Sequence, residues 1–248
     1  DNGLVKFFQE FIKNGYITEA DFLLDINKEI LTKDSIIGKV KIQKLDFSYD
    51  TDFPLLKNMD VDIDVVDSNV TFKINSAYSS ALSLSQGLIL MNWQGLDSTE
   101  LKITAKAHGP ATGLTGFMSN TQHQEMNKAN IDLRKIIGQA NLDIYIDIPL
   151  KPGTKNIYNI SADITGASLS IFKNYVNLTN ASIKGVFNGD NVLLNGAGKI
   201  NDFKSDLGFA LNLTDKTEFS HKLDIKTYFK VLKDKSDSKN KIAFISLQ

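Results

Sequence analysis

The sequence predicts a mostly β protein that folds as a long antiparallel meander. Apolar and polar residues alternate with a period of two along much of the chain, which is typical of strands with one buried face. Turn signals such as Asp67-Ser68-Asn69 and Asn188-Gly189-Asp190-Asn191 separate these runs, as expected for consecutive hairpins. Hydrophobic residues form 42% of the 248 residues, which is enough for one large β domain or two small ones.

The first segment departs from this alternation. Its apolar residues recur at helical spacing and fall on one helix face: Leu4, Phe7, Phe8, Phe11 and Ile12. Gly15 follows at the position where a left-handed residue commonly ends a helix. We therefore predict a short amphipathic helix over residues 3–14.

From Tyr16 onward the period of two dominates. It is clearest in seven runs, at residues 44–49, 60–65, 70–75, 101–106, 140–148, 207–213 and 219–225. Each run predicts a strand with one apolar and one polar face.

One stretch, residues 113–135, lacks the period and is rich in Gln, Asn and Met. We predict helix or loop near 114–127, with Phe117, Met118 and Met126 as its apolar contacts. The stretch divides the chain into three parts: residues 1–112 with the helix and first strands, the interruption at 113–135, and the strands of 136–248. We expect both strand regions to share one continuous sheet and the chain to be a segment of a longer protein.

The sequence offers no recognisable catalytic or cofactor site. Cysteine is absent, and His108, His123 and His221 have no partners at metal-ligand spacing. No phosphate-binding loop or nucleophile elbow is present, and a net charge of -1 argues against a nucleic-acid binder. We therefore predict a protein that is not an enzyme and that binds no metal, cofactor, nucleotide or nucleic acid.

Three aspartates share one predicted strand face: Asp60, Asp62 and Asp64. They could bind a cation, but a solvated face that discourages sheet stacking is the favoured interpretation. A carbohydrate hydrolase would need two convergent carboxylates, and nothing in the sequence marks out such a pair.

The apolar face of so many strands needs a cover. In a β-sandwich, two sheets would cover each other. In a curved sheet, the face would line an open groove, and acyl chains would suit that groove because they need no specific polar contacts.

Four local patterns follow one another along the chain. They are Leu4 to Gly15 followed by Tyr16-Ile17-Thr18-Glu19-Ala20; Leu45-Asp46-Phe47-Ser48-Tyr49 followed by Phe53-Pro54-Leu55-Leu56; Gly138 to Ile148 leading into Pro149-Leu150; and Ile164 to Gly198. In this order they resemble the AsmA-like proteins of the Gram-negative envelope, in particular their YhdP-like branch, with TamB more distantly related. Each pattern is weak alone, and together they cover most of residues 4–215. Phe53 stands where the family often has Trp.

The resemblance implies a U-shaped β-sheet with a hydrophobic groove. It implies a periplasmic segment of an inner-membrane-anchored protein that bridges the inner and outer membranes through regions outside this chain and carries phospholipid. The family supplies no binding motif, so strand phase alone selects the expected lipid contacts: Phe72, Ile74, Leu101, Ile103, Leu142, Ile144, Ile146, Ile148, Phe209 and Leu211. Each of these residues has ordinary core packing as its alternative. The alternative function is a non-catalytic envelope scaffold that binds proteins through its sheet edges.

Overall fold

The computed structural model describes residues 12–24, 36–48, 54–92, 99–117, 132–151, 153–171, 175–212, 221–228 and 242–247. Its strands are β1 (Ile12–Leu24), β2 (Ile36–Phe47), β3 (Leu56–Val66), β4 (Asn69–Ser79), β5 (Leu82–Asn92), β6 (Glu100–Pro110), β7 (Ile137–Pro149), β8 (Ile157–Ile171), β9 (Val176–Phe187), β10 (Asn191–Ile200), β11 (Phe203–Asn212), β12 (His221–Tyr228) and β13 (Ile242–Leu247). Two 3₁₀ helices, Ala111–Phe117 and Leu133–Lys135, lie between β6 and β7.

The strands form one 13-stranded sheet whose spatial order is the order of the chain. The recorded pairings are antiparallel, so the predicted mostly β meander is confirmed. Both predicted turns join neighbouring strands: Asp67 and Ser68 link β3 to β4, and residues 188–190 link β9 to β10. In the second turn, the side chain of Asn188 accepts hydrogen bonds from the backbone N–H groups of Asp190 and Asn191.

The predicted N-terminal helix is wrong for its last residues. Ile12 begins β1 and pairs with Phe47, so residues 12–14 are strand rather than helix. Gly15 does not end a helix; it lies in β1 with φ 155° between two register shifts, where an extra residue bends the strand. Pairing with β2 supplies the backbone hydrogen bonds that a single helical turn would otherwise make. Residues 3–11 of the predicted helix lie outside the described residues.

The predicted interruption coincides with the two 3₁₀ helices. Ala111–Phe117 overlaps the start of the predicted helix or loop, and residues 118–131 lie outside the described residues. In the second helix, Asp132 caps the N-terminus by accepting a hydrogen bond from the backbone N–H of Arg134. Strand β7 then restores the period of two from Ile137.

By its contacts the chain divides into two compact units. Unit 1 comprises Asp1–His108 and Asp143–Asn159, and unit 2 comprises Gly109–Leu142 and Ile160–Gln248. Each unit has a buried apolar face made by alternate residues of its strands. In unit 1 the most buried large side chains include Leu45, Met59, Val61, Leu82, Ile89, Met91 and Leu101. In unit 2 the buried residues include Ala140, Ile160, Ile164, Ala167, Ala181, Ile200 and Ile225.

Glycines mark points on the apolar face of each unit where paired strands approach closely. Directly opposed Cβ atoms on paired strands normally lie about 4.5–5.5 Å apart. A Cβ built on Gly87 in unit 1 would lie 2.8 Å from the Cβ of Ile74, and one on Gly198 in unit 2 would lie 2.6 Å from the Cβ of Ala181. Neighbouring strands therefore converge on the apolar side at these points, and the absence of a side chain at each glycine permits the convergence.

Candidate functional site

The predicted lipid contacts lie on the apolar face, and nearly all are buried by protein. Nine of the ten are at most 8% exposed, and only Phe209 is half-buried. Unit 1 contains seven of them: Phe72, Ile74, Leu101, Ile103, Ile144, Ile146 and Ile148. Unit 2 contains the other three: Leu142, Phe209 and Leu211.

In unit 1 the apolar face is deeply buried across β3 to β6. Met59 and Leu82 are 0% exposed, and Leu101 is 1% exposed. This degree of burial is that of an ordinary close-packed protein core. These positions therefore offer a ligand almost no surface that water reaches.

In unit 2 the same face is more accessible on two adjacent strands. The β10–β11 strip consists of four half-buried apolar residues: Val192, Leu194, Leu207 and Phe209. Leu194 lies directly opposite Phe209, and Leu207 lies opposite Gly196, which adds no side chain to the surface. The strip is thus an apolar surface that water reaches and that carries no charge.

The opposite face of the sheet is polar, and its charges pair across strands. Lys73 of β4 lies 2.7 Å from Asp64 of β3, and Lys41 of β2 lies 2.6 Å from Glu19 of β1. The hydrogen bond from Lys73 lowers the pKa of the Asp64 carboxyl, and the hydrogen bond to Glu19 raises the pKa of Lys41. These contacts are those of a solvated surface with alternating charge.

The three aspartates of β3 are each occupied by a different neighbour. Asp60 accepts from the backbone N–H of Lys44 and from the hydroxyl of Ser76, and Asp62 accepts from the side-chain amide of Asn75. Asp64 pairs with Lys73. This arrangement agrees with a solvated strand face.

Strand β1 forms one edge of the sheet and exposes large apolar residues on both of its faces. Five of its side chains are at least 47% exposed: Tyr16, Ile17, Phe22, Leu23 and Leu24. No other described strand pairs with the free side of β1. Sequence reasoning missed this surface, although the adjacent apolar residues Phe22, Leu23 and Leu24 break the strict alternation and could have indicated it.

A buried polar pair on the apolar face of unit 2 was also missed. The hydroxyl of Ser205 lies 3.0 Å from that of Thr227 on the paired strand and donates to the carbonyl of Phe203 at 2.9 Å. Because the Ser205 proton is used, Thr227 donates to Ser205. Ser205 is 0% exposed and Thr227 is 7% exposed, so the pair satisfies groups that water does not reach.

Within the described ranges, no three His, Asp or Glu side chains are grouped so that they could hold a metal ion. Of the three histidines, His108 is exposed on β6, and His123 lies outside the described residues. The described part of the chain contains no helix that is both long and apolar enough to span a membrane. No family model, curated protein or solved structure shows significant similarity to the chain.

Proposed function

We propose that this chain is a segment of an envelope-spanning, bridge-like lipid transport protein, and that it shields phospholipid acyl chains on its apolar face between the inner and outer membranes. The observation that supports this proposal most directly is the uncharged, half-buried β10–β11 strip, where Gly196 adds no side chain to the apolar face. The resemblance to AsmA-like proteins supports the envelope setting and the periplasmic location.

The exposure of the side chains restricts the expected lipid contacts to fewer residues than strand phase alone. A bound acyl chain gains free energy by removing apolar area from water, at about 25 cal/mol per Å². Leu194, Leu207 and Phe209 offer such area, whereas Ile146 and Leu101 are already removed from water by the protein. We therefore assign the first acyl contact to the β10–β11 strip.

Lipid extraction from the gently purified chain, followed by mass spectrometry, tests this assignment. The test variant is Leu194→Asp, which places a charge within the strip. The matched control is Leu193→Asp, which places the same charge one residue away, on the other face of β10, where Leu193 is 46% exposed. Circular dichroism verifies that both variants remain folded.

We expect phospholipid on the native chain and on Leu193→Asp, and at least a tenfold loss on Leu194→Asp. A native chain free of lipid would contradict lipid carriage. Equal lipid on both variants would remove the strip as the contact. A third variant, Ile144→Asp with Ile146→Asp, addresses the packed face of unit 1, and we expect it to unfold because two buried charges would lack partners.

The exposed edge strand favours a second candidate function, a non-catalytic envelope scaffold that binds proteins through a sheet edge. An extended peptide can add to such an edge by main-chain hydrogen bonds, with pockets for its alternate side chains. Natural proteins usually protect long apolar edges, and β1 is 13 residues long with Ile17 67% and Leu23 68% exposed.

Site-specific photocrosslinking in cells discriminates the two functions. The crosslinker is placed at Ile17 on β1 and, as the control, at Tyr78, which is 53% exposed on β4. A defined protein adduct at Ile17 that is absent at Tyr78 supports the scaffold. Identical adducts at both positions, or none at Ile17, contradict it.

A further inference from the structure

The β10–β11 turn of unit 2 is tied to the start of the neighbouring strand β9. The turn between β10 and β11 consists of Asn201 and Asp202, both with positive φ (46° and 70°), as in the tight turns that suit hairpins. The backbone of Asn201 donates to the carbonyl of Asn177 at 3.0 Å, and its side-chain oxygen accepts from the Asn177 N–H at 2.9 Å. Its side-chain amide donates to the carbonyl of Tyr175 at 3.0 Å. The turn is thereby held against the start of β9.

Among the described residues, two aromatic side chains are exposed at this end of unit 2. Tyr175, beside the Asn201 contact, is 80% exposed, and Phe203, at the start of β11, is 46% exposed. The turn itself requires only residues that tolerate positive φ. Its geometry therefore does not explain why the aromatic side chains of Tyr175 and Phe203 are exposed near it. Aromatic side chains at this exposure offer apolar area to a partner.

Two lysines lie at the same end, one on each strand of the β10–β11 hairpin. Lys199 and Lys204 lie directly opposite each other on β10 and β11, and both are exposed. Like charges in this arrangement destabilise a sheet. Neither lysine forms an ion pair with any described residue, whereas Lys41 and Lys73 on other strands of the sheet are paired across strands. Asp202, exposed in the intervening turn, carries the opposing charge.

We propose that these residues form a membrane-docking surface for anionic phospholipid bilayers. The hairpin-end surface comprises Tyr175, Lys199, Phe203 and Lys204. Lysines at a bilayer surface are attracted to anionic headgroups, and aromatic rings insert at the level where the apolar and polar regions meet. The proposal concerns contact with the membrane surface and does not depend on acyl chains binding at the β10–β11 strip.

Other anionic partners fit the surface less well. A free phosphate would use the two lysines but would gain nothing from Tyr175 or Phe203. A nucleic acid requires a basic stripe, whereas the whole chain has a net charge of -1. A lipid surface uses both the charges and the aromatic side chains.

Co-sedimentation of the full chain with extruded vesicles tests the proposal. The vesicles contain either phosphatidylcholine alone or phosphatidylcholine with one third phosphatidylglycerol. We expect binding to the anionic vesicles, with roughly fivefold loss of affinity for each lysine removed. The double variant Lys199→Gln and Lys204→Gln should therefore lose roughly 25-fold. The variant Asp202→Asn should bind the anionic vesicles severalfold more tightly because it removes a negative charge from the turn. Asn tolerates the positive φ of this position as Asp does.

Matched controls separate this surface from a general effect of charge or hydrophobicity. Lys184→Gln removes an equal charge elsewhere on unit 2, and Tyr78→Ser removes an exposed aromatic side chain from β4. Both controls should bind like the native chain, whereas Tyr175→Ser with Phe203→Ser should bind at least tenfold more weakly.

Three outcomes would overturn the proposal. The first is no binding to anionic vesicles at low ionic strength. The second is equal loss in the hairpin-end variants and their controls. The third is binding that inorganic phosphate abolishes and that the aromatic substitutions leave unchanged, because this result would identify a phosphate site only. Circular dichroism of each variant excludes unfolding as the cause of a loss.

Discussion

Replacing Gly196 by Ala tests whether the strands of unit 2 converge on the apolar face. A Cβ built at Gly196 would lie 2.9 Å from the Cα of Ile183 and would also meet the carbonyl oxygen of Ser182. Carbon atoms in contact lie about 3.5–4.0 Å apart, so β9 would have to move by roughly 0.6–1.1 Å. The atoms in the way belong to the backbone of a paired strand, which cannot rotate aside as a side chain can. We expect a cost of about 1–3 kcal/mol from overpacking.

The matched control is Gly208→Ala on the neighbouring strand. A Cβ at Gly208 would find only ordinary contacts, 3.6 Å from the side-chain oxygen of Asn195 and 3.7 Å from the Cβ of Asp224. Neither glycine requires a positive φ, so both substitutions gain the same benefit from restricting the unfolded chain, about 0.4–1 kcal/mol. Because this benefit is common, the difference between the variants isolates the convergence of the strands.

Urea unfolding of the two variants, followed by circular dichroism, measures the difference. We expect Gly208→Ala to equal or exceed the native chain in midpoint and Gly196→Ala to unfold at lower urea, with similar slopes. Equal midpoints for the two variants would refute the inference that β9 and β10 converge on the apolar face at Gly196.

Three further predictions concern burial and charge. Ser205→Ala should lower the free energy of unfolding by about 1–3 kcal/mol because it leaves the buried Thr227 hydroxyl without its hydrogen-bond acceptor. Adding Thr227→Val should recover part of that loss in a double-mutant cycle. Met59→Ala should cost about 2–5 kcal/mol, measured by urea unfolding, since Met59 is 0% exposed. The pKa of Asp64 is lowered by Lys73, so its contribution to stability is present above about pH 4 and is lost below it. The urea midpoints of the native chain and Asp64→Asn should therefore differ at pH 7 and converge as the pH falls below 4.

Strand phase was predictable because one physical rule determines it. Successive side chains of a strand point to opposite faces, so burying one face requires alternation, as in Leu142, Ile144 and Ile146. Hairpin turns were predictable for a related reason. The Asn188–Asn191 turn needs residues that tolerate positive φ and whose side chains can accept backbone hydrogen bonds, and Asn and Gly supply both.

The predicted helix failed at residues 12–14 because helical and strand patterns overlap in short apolar runs. A few apolar residues satisfy a helical face over one or two turns, and Gly15 suits a β-bulge as well as a helix end. The deciding factor was the partner strand. Residues 36–47 offer β1 a ladder from Ile36 to Phe47, and local sequence carries no direct signal for a partner more than 20 residues away.

Sequence phase also could not separate the packed part of the apolar face from its accessible part. Ile146 and Phe209 occupy equivalent phases in alternating strands, yet Ile146 is 2% exposed and Phe209 is half-buried. The exposure of a side chain on the apolar face depends on which other side chains cover it. Those side chains can be distant in sequence, so the local sequence does not predict them. The β10–β11 strip is flanked by Gly196 and Gly198, which contribute no side chains, whereas the packed face of unit 1 contains Leu45, Met59 and Leu101. An acyl chain is therefore expected to bind where glycines leave neighbouring apolar side chains accessible to water. For this reason Leu194→Asp should remove bound lipid from a folded chain, whereas Ile146→Asp should instead destabilise the fold.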